Sequence, residues 1–222
     1  MKIFIIGVTG GVGERTAKFL LAKGHEVSAI VRDGPRASKL EGQGITPYLD
    51  DVVKASVVSL ADRIKGSDIV LFTAGAGGHD GSKMTTAVDG DGPAKVAQAA
   101  KIAGTNRFYL VSVFPEAGRD RGMGDEFEHY MVEKKKAETQ LVLTDLDWVI
   151  LRPSTLTNHV GAGTVDLGLA KMHVEISRDD VAATLVALME NPSIVRVILE
   201  ATGGTTPIAD AVTEVGAQLQ RV

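Results

Sequence analysis

The segment that most constrains this chain is its opening: Ile3-Phe4-Ile5-Ile6, then Gly7-Val8-Thr9-Gly10-Gly11-Val12-Gly13, then the amphipathic run Glu14-Arg15-Thr16-Ala17-Lys18-Phe19-Leu20. A buried strand, a glycine turn and a helix follow one another without a gap. Glycine at positions 7, 10 and 13 permits a tight turn, lets a pyrophosphate come close to the backbone, and lets the helix pack hard against the strand. The helix N-terminus then attracts the anion through its free amides and its dipole. A glycine triplet by itself is an ordinary turn; its place between strand and helix is what points to a dinucleotide.

The rest of the chain repeats that alternation. Apolar, β-branched runs occur at Ile3 to Ile6, Val27 to Val31, Ile69 to Phe72, Phe108 to Val111, Trp148 to Leu151 and Val195 to Leu199. Strands without polar alternation are buried on both faces, and helix-length spacers between them supply the crossovers of a parallel sheet. Helical periodicity predicts helices over roughly 12–23, 52–65, 91–103, 126–144, 179–190 and 207–219. Ser177 and Asp180 stand at capping-box spacing at the start of the fifth of these. The expectation is an α/β, doubly wound parallel sheet with helices on both faces, and a small C-terminal substrate-side portion formed by loops after about residue 153. With 222 residues and no long linker, the chain 1–222 reads as one domain.

Composition removes several function classes. A net charge of -4 offers no broad basic field for a nucleic-acid backbone, so any phosphate must be held locally. The first apolar run stops at Gly7, too short for a signal-peptide core or a membrane span. Cysteine is absent, which excludes disulfides, thiolate metal sites and cysteine nucleophiles and fits a cytoplasmic protein. The histidines, His25, His79, His129, His159 and His173, include no pair at i, i+4, and no metal is expected. No glycine elbow surrounds Ser112, so serine-hydrolase chemistry has no local support.

The second strand ends at Arg32, where the adenosine ribose of a dinucleotide lies, and a guanidinium there pairs with a 2′-phosphate in a forked geometry. That favours NADP(H) over NAD(H). Asp33 pulls the other way, because a carboxylate at this place can accept from a free 2′-hydroxyl. Arg36 either adds to the phosphate pocket or is simply solvated.

These glycines, with Asp89-Gly90-Asp91-Gly92, Tyr130-Met131-Val132-Glu133-Lys134 and Leu151-Arg152-Pro153-Ser154, make the chain resemble the atypical short-chain dehydrogenase/reductases, most closely their NmrA-like, NAD(P)H-binding branch. The resemblance extends from Met1 to about Thr206, through Ile176-Ser177-Arg178-Asp179-Asp180-Val181-Ala182 and Glu200-Ala201-Thr202-Gly203-Gly204. It implies that Gly7, Thr9, Gly10, Gly11, Val12 and Gly13 cradle the pyrophosphate. It also implies that Arg32 holds the 2′-phosphate, that Asp51 and Val52 flank the adenine, and that Thr73, Ala74 and Gly75 pass beneath its ribose. Ser112, Tyr130 and Lys134 match the family's serine, tyrosine and lysine around the nicotinamide, with Pro153 and Ser154 beside the carboxamide; Lys95 matches a structural lysine. Tyrosine and lysine four residues apart share a helix face, where the ammonium can lower the phenol's pKa and hold the nicotinamide ribose. Against this, Glu133-Lys134-Lys135-Lys136 also reads as a solvated face.

Met84, Met123, Met131, Met172 and Phe127 are candidates for an apolar substrate wall, and His79, Asp80 and His159 for polar points in the loops. Only about seventy residues follow Pro153, too few for the substrate domain of the extended relatives. The expected activity is reduction of a small, apolar carbonyl, quinone or conjugated substrate by a monomer or homodimer. A non-catalytic NADP(H)-binding sensor and a small epimerase or dehydratase are the alternatives.

Overall fold

The computed structural model describes residues 1–77, 81–118 and 121–220. Among the described residues, ten strands and eight α-helices run in the order β1 (Lys2–Ile6), α1 (Gly11–Ala22), β2 (Glu26–Val31), α2 (Gly34–Gly42), β3 (Thr46–Leu49), α3 (Val57–Ile64), β4 (Ile69–Phe72), α4 (Gly81–Thr85), α5 (Asp91–Ala103), β5 (Arg107–Val111), α6 (Asp125–Val142), β6 (Asp147–Pro153), β7 (Thr155–Thr157), β8 (Thr164–Gly168), β9 (Glu175–Ser177), α7 (Arg178–Met189), β10 (Val197–Pro207) and α8 (Ile208–Leu219). A π-helical turn, Thr86–Gly90, joins α4 to α5.

Eight strands form one sheet in the order β3-β2-β1-β4-β5-β6-β10-β8, parallel throughout except for β8, which runs antiparallel to β10 at the edge. The order reverses direction between β1 and β4, the switch point where open α/β sheets bind ligands. Successive residues of β1 feed opposite cores: Ile3 and Ile5 pack with Leu20, Leu185 and Val212 on one face, Phe4 and Ile6 with Leu60, Val96 and Leu141 on the other. This is the two-sided burial that the unbroken apolar runs predict, and the fold is the doubly wound α/β sheet.

Several boundaries differ from the pattern. Asp51–Ala55 forms turns, so α3 begins at Val57 and not at 52. The last strand, read as 195–199, starts at Val197 and extends to Pro207 because β8 pairs back along it. Helix α2 and strands β3, β7, β8 and β9 were not predicted. The short parallel pair β7–β9 and the loops around it build the small C-terminal region beyond the sheet's C-terminal edge. Ser177 caps α7 as its spacing predicts, accepting from Asp180 N–H at 2.9 Å. Asp180 does more than cap: its carboxylate also accepts from the amides of Ala162 and Gly163, pinning that loop.

Candidate functional site

The site grows from the turn after β1. Gly7 has φ +94°, a left-handed conformation that favours glycine, and a Cβ there would overlap the Ala74 backbone at the end of β4. At Gly13 a Cβ would overlap the Gly7 carbonyl oxygen and lie 2.8 Å from Thr73 Oγ1. The turn is thus pressed between α1 and the strand beside it, as close helix-to-strand packing demands. Gly10 caps α1 with no side-chain hydrogen bond, so the first amides of the helix face outward without a protein acceptor from a cap.

Two chambers open on either side of this turn. The first, about 250 Å³, is lined by Gly7, Thr9, Gly10, Arg32, Asp51, Val52, Thr73, Ala74 and Gly75 among others, which gathers the residues expected around the adenosine. Arg32 is exposed, and among the described residues no carboxylate pairs with it. Asp33 is engaged: it caps α2, accepts from Arg36 N–H at 2.9 Å, and pairs with the Arg36 guanidinium at 2.6 Å. Arg36 lines the same chamber as Arg32, with its guanidinium held by Asp33. Lys95 has the structural role expected, donating to the carbonyls of Val52, Val53 and Ala55 at 3.0, 2.9 and 3.3 Å and so fixing the wall on which Val52 stands.

The second chamber, about 610 Å³, is lined by Gly10, Gly11, Val12, Asp89, Ser112, Phe127, Tyr130, Lys134 and Arg178 among others. Ser112, Tyr130 and Lys134, read from separate segments, meet here. Ser112 is 5 % exposed and its Oγ has no hydrogen-bond partner, an orphaned donor facing a cavity. Lys134 is 3 % exposed and donates to the Val111 carbonyl at 2.9 Å, with Asp89 Oδ1 at 3.9 Å. Glu133 and Lys134 are both buried, so only Lys135 and Lys136 of that stretch face solvent.

Burial pushes the Lys134 ammonium down from its ordinary value, against the pull of Asp89 and Glu138. Asp89 itself is pushed up by burial, despite the nearby ammonium and the Ala76 amide it accepts from at 2.9 Å. The expectation that Lys134 lowers the Tyr130 phenol is corrected. Burial, and then the Asp89 carboxylate, push that phenol well up, and Lys134 is already answered by Asp89 and Val111. Tyr130 stands as a neutral phenol.

Not every expected residue reaches the cleft. Pro153 and Ser154 are buried but line neither chamber, and the Ser154 hydroxyl donates to the Val174 carbonyl. Of the apolar candidates, Met123 and Phe127 line the second chamber and Met84 the first, whereas Met131 is buried outside both and Met172 is exposed. His159 is exposed, and His79 and Asp80 lie outside the described residues. Sequence reasoning missed Asp89 and Arg178 as chamber residues, and also the contact of His129 and Glu133 with Thr86, at 2.9 and 3.2 Å. A larger cleft of about 1040 Å³ opens between α1 and α2, but its wall holds none of Ser112, Tyr130 or Lys134. Among the described residues no cluster could hold a metal, and no helix is long and apolar enough to cross a membrane.

The uncapped amides, the bare glycine cradle and the orphaned Ser112 hydroxyl fit a dinucleotide laid across the two chambers. The model of the NAD(P)H-binding family matches residues 7–192. The chain belongs to that family. YhfK of Bacillus subtilis, described as an uncharacterised sugar epimerase, is 36% identical over 212 residues, 95% of this chain and 98% of that protein. Among solved structures, a Bacillus halodurans protein classed with the NAD-dependent epimerase/dehydratases is 29% identical with a TM-score of 0.87, covering 96% of this chain and 99% of that one. The anaerobilin reductase ChuY of Escherichia coli O157:H7 is 25% identical with a TM-score of 0.76, covering 91% and 97%. The family assignment agrees with the resemblance to the atypical short-chain dehydrogenase/reductases, and the fold is that of NAD(P)H-binding oxidoreductases.

Proposed function

We propose that this protein is an NADP(H)-dependent reductase that transfers hydride to a small carbonyl, quinone or conjugated substrate. The observation that carries the reading is the second chamber, where the Ser112 hydroxyl, the Tyr130 phenol and the Lys134 ammonium stand together beyond the glycine turn. When bound, the reduced nicotinamide supplies the hydride. Tyr130, kept neutral by burial, donates the proton that the reduced oxygen requires. Lys134, held by the Val111 carbonyl and facing Asp89, would hold the ribose hydroxyls with its remaining donor. Ser112 donates its unused hydroxyl to the substrate oxygen. NADP(H) is preferred over NAD(H) because Arg32 is free while Asp33 is committed to capping α2 and to Arg36. Met123 and Phe127 suit an apolar substrate, and the cysteine-free chain is taken to work in the cytoplasm as a monomer or homodimer.

Steady NADPH oxidation with a panel of aldehydes, quinones and flavins tests this. Tyr130→Phe should lower kcat by about 10²- to 10⁴-fold while leaving cofactor affinity in place. Tight binding without turnover would instead favour a redox sensor. That reading has one observation in its favour: among the described residues the Tyr130 hydroxyl makes no hydrogen bond to Ser112 or Lys134. Product formation without net NADPH loss would favour an epimerase, the activity in YhfK's name.

A further inference from the structure

Arg178 is the first residue of α7, and its side chain lies across the start of α1: a Cβ placed on Gly11 would meet Arg178 Cδ at 2.7 Å and Nε at 2.9 Å. The cation therefore sits at the positive ends of two helix dipoles, where an anion is favoured and a guanidinium is not. Two carboxylates share its helix's first turn, but among the described residues neither forms a salt bridge with it. Asp179 is paired with Arg15 at 2.7 Å and accepts from Gly161 N–H, while Asp180 is taken by Ser177, Ala162 and Gly163. Among the described residues Arg178 itself reaches only neutral acceptors, the Leu156 carbonyl at 3.4 Å and Asn158 Oδ1 at 3.1 Å. It is half-buried and lines the second chamber beside Gly11 and Val12, whose amides no cap side chain satisfies.

We infer that Arg178 closes on the cofactor pyrophosphate from across the start of α1, so that α7 supplies one jaw of the diphosphate site and α1 the other. This rests on the cofactor reading above. An anion that satisfies the α1 amides comes within reach of the guanidinium, and its negative charge removes the mismatch of a cation at two helix N-termini. The salt bridge from Arg15 to Asp179 locks α7 onto α1 and fixes the jaw's position. The same chemistry could come from a substrate carboxylate, and the test separates the two sources.

Titration calorimetry on the full chain would use NADP⁺ and its nicotinamide-free fragment, 2′-phospho-ADP-ribose, with wild type, Arg178→Met and Arg178→Lys. Methionine keeps a stem on Gly11 and removes the charge; lysine keeps the charge and loses the fork. Arg178→Met should weaken both ligands equally, by about 10- to 100-fold, the worth of a charged hydrogen bond. Arg178→Lys should recover part of that loss, and the ligand-free Arg178→Met should melt no lower than wild type. Unchanged NADP⁺ affinity in Arg178→Met, with wild type binding normally, overturns the inference alone and leaves a substrate anion as the group recognised. Loss for NADP⁺ but not for the fragment also overturns it. If wild type binds neither ligand, the cofactor reading fails and takes this inference with it.

Discussion

Gly13 and Gly216 both lie inside helices, α1 and α8, yet replacing each with alanine should move stability in opposite directions. At Gly216 the new methyl would meet Asn191 Nδ2 and Ile194 Cδ1 at 3.6 Å, ordinary van der Waals contact. Helix propensity alone favours alanine over glycine by about 1 kcal/mol, so Gly216→Ala should gain about 0.5–1 kcal/mol. At Gly13 the same gain is opposed by overlap with the Gly7 carbonyl and by Thr73 Oγ1 at 2.8 Å. Overpacking of this kind costs about 1–3 kcal/mol, and backbone cannot swing aside as a flexible side chain can, so the upper end applies. The net expectation is a loss of about 2 kcal/mol. For a chain of this length each kcal/mol moves Tm by about 2–4 °C, so Gly13→Ala should melt about 4–8 °C lower and Gly216→Ala slightly higher than wild type. Because the displaced atoms form the pyrophosphate cradle, Gly13→Ala should also weaken dinucleotide binding at least about tenfold, or about 1.4 kcal/mol. Thermal unfolding at one scan rate, paired with calorimetry, reads both effects. A Gly13→Ala protein that melts at or above wild type and binds the dinucleotide undiminished would refute the claim that this turn needs bare backbone.

Lys95→Met removes three charge-assisted bonds to the loop that carries Val52; we expect a loss of about 1–3 kcal/mol in denaturant unfolding and a raised cofactor KM with kcat little changed. Glu190 gives a pH signature: burial would raise its carboxyl, but hydrogen bonds from Lys23 and His25 outweigh burial and hold it below 4.5. Its contribution is present above the unfolded value and disappears as the pH falls through the folded one, so Glu190→Gln should flatten the acid limb of stability below about pH 4.5. The side chain is 34% exposed, which limits the wild-type advantage at neutral pH to about 1 kcal/mol or less. Equal acid limbs in the two proteins would dismiss that role.

The parts of the fold legible in the sequence are those whose residues announce burial locally. β1 and β4 are apolar at nearly every position because both faces are covered, and no turn residue interrupts them. β3 was invisible because it is a four-residue edge strand containing Pro47, with its residues half-buried or exposed. α2 was missed because Leu40 is its only buried residue and it opens on Gly34-Pro35. β7, β8 and β9 owe their extended form to partners distant in the chain, which no local period records. At the site the same division holds. Tyr130 and Lys134 share one helix, so four-residue spacing was enough to pair them. The direction of the Tyr130 phenol's shift was not legible, because Asp89 reaches it from the π-helical turn before another helix. Arg178 arrives at the glycine turn only through the packing of α7 on α1.

Isothermal titration of the purified protein with NADP⁺ and NAD⁺ bears most directly on the whole account. Wild type should bind both dinucleotides, NADP⁺ the more tightly, and Arg32→Glu should abolish that preference while keeping NAD⁺ binding. No heat with either ligand would contradict the assignment of the glycine turn as a diphosphate cradle, and with it the reading of the cleft.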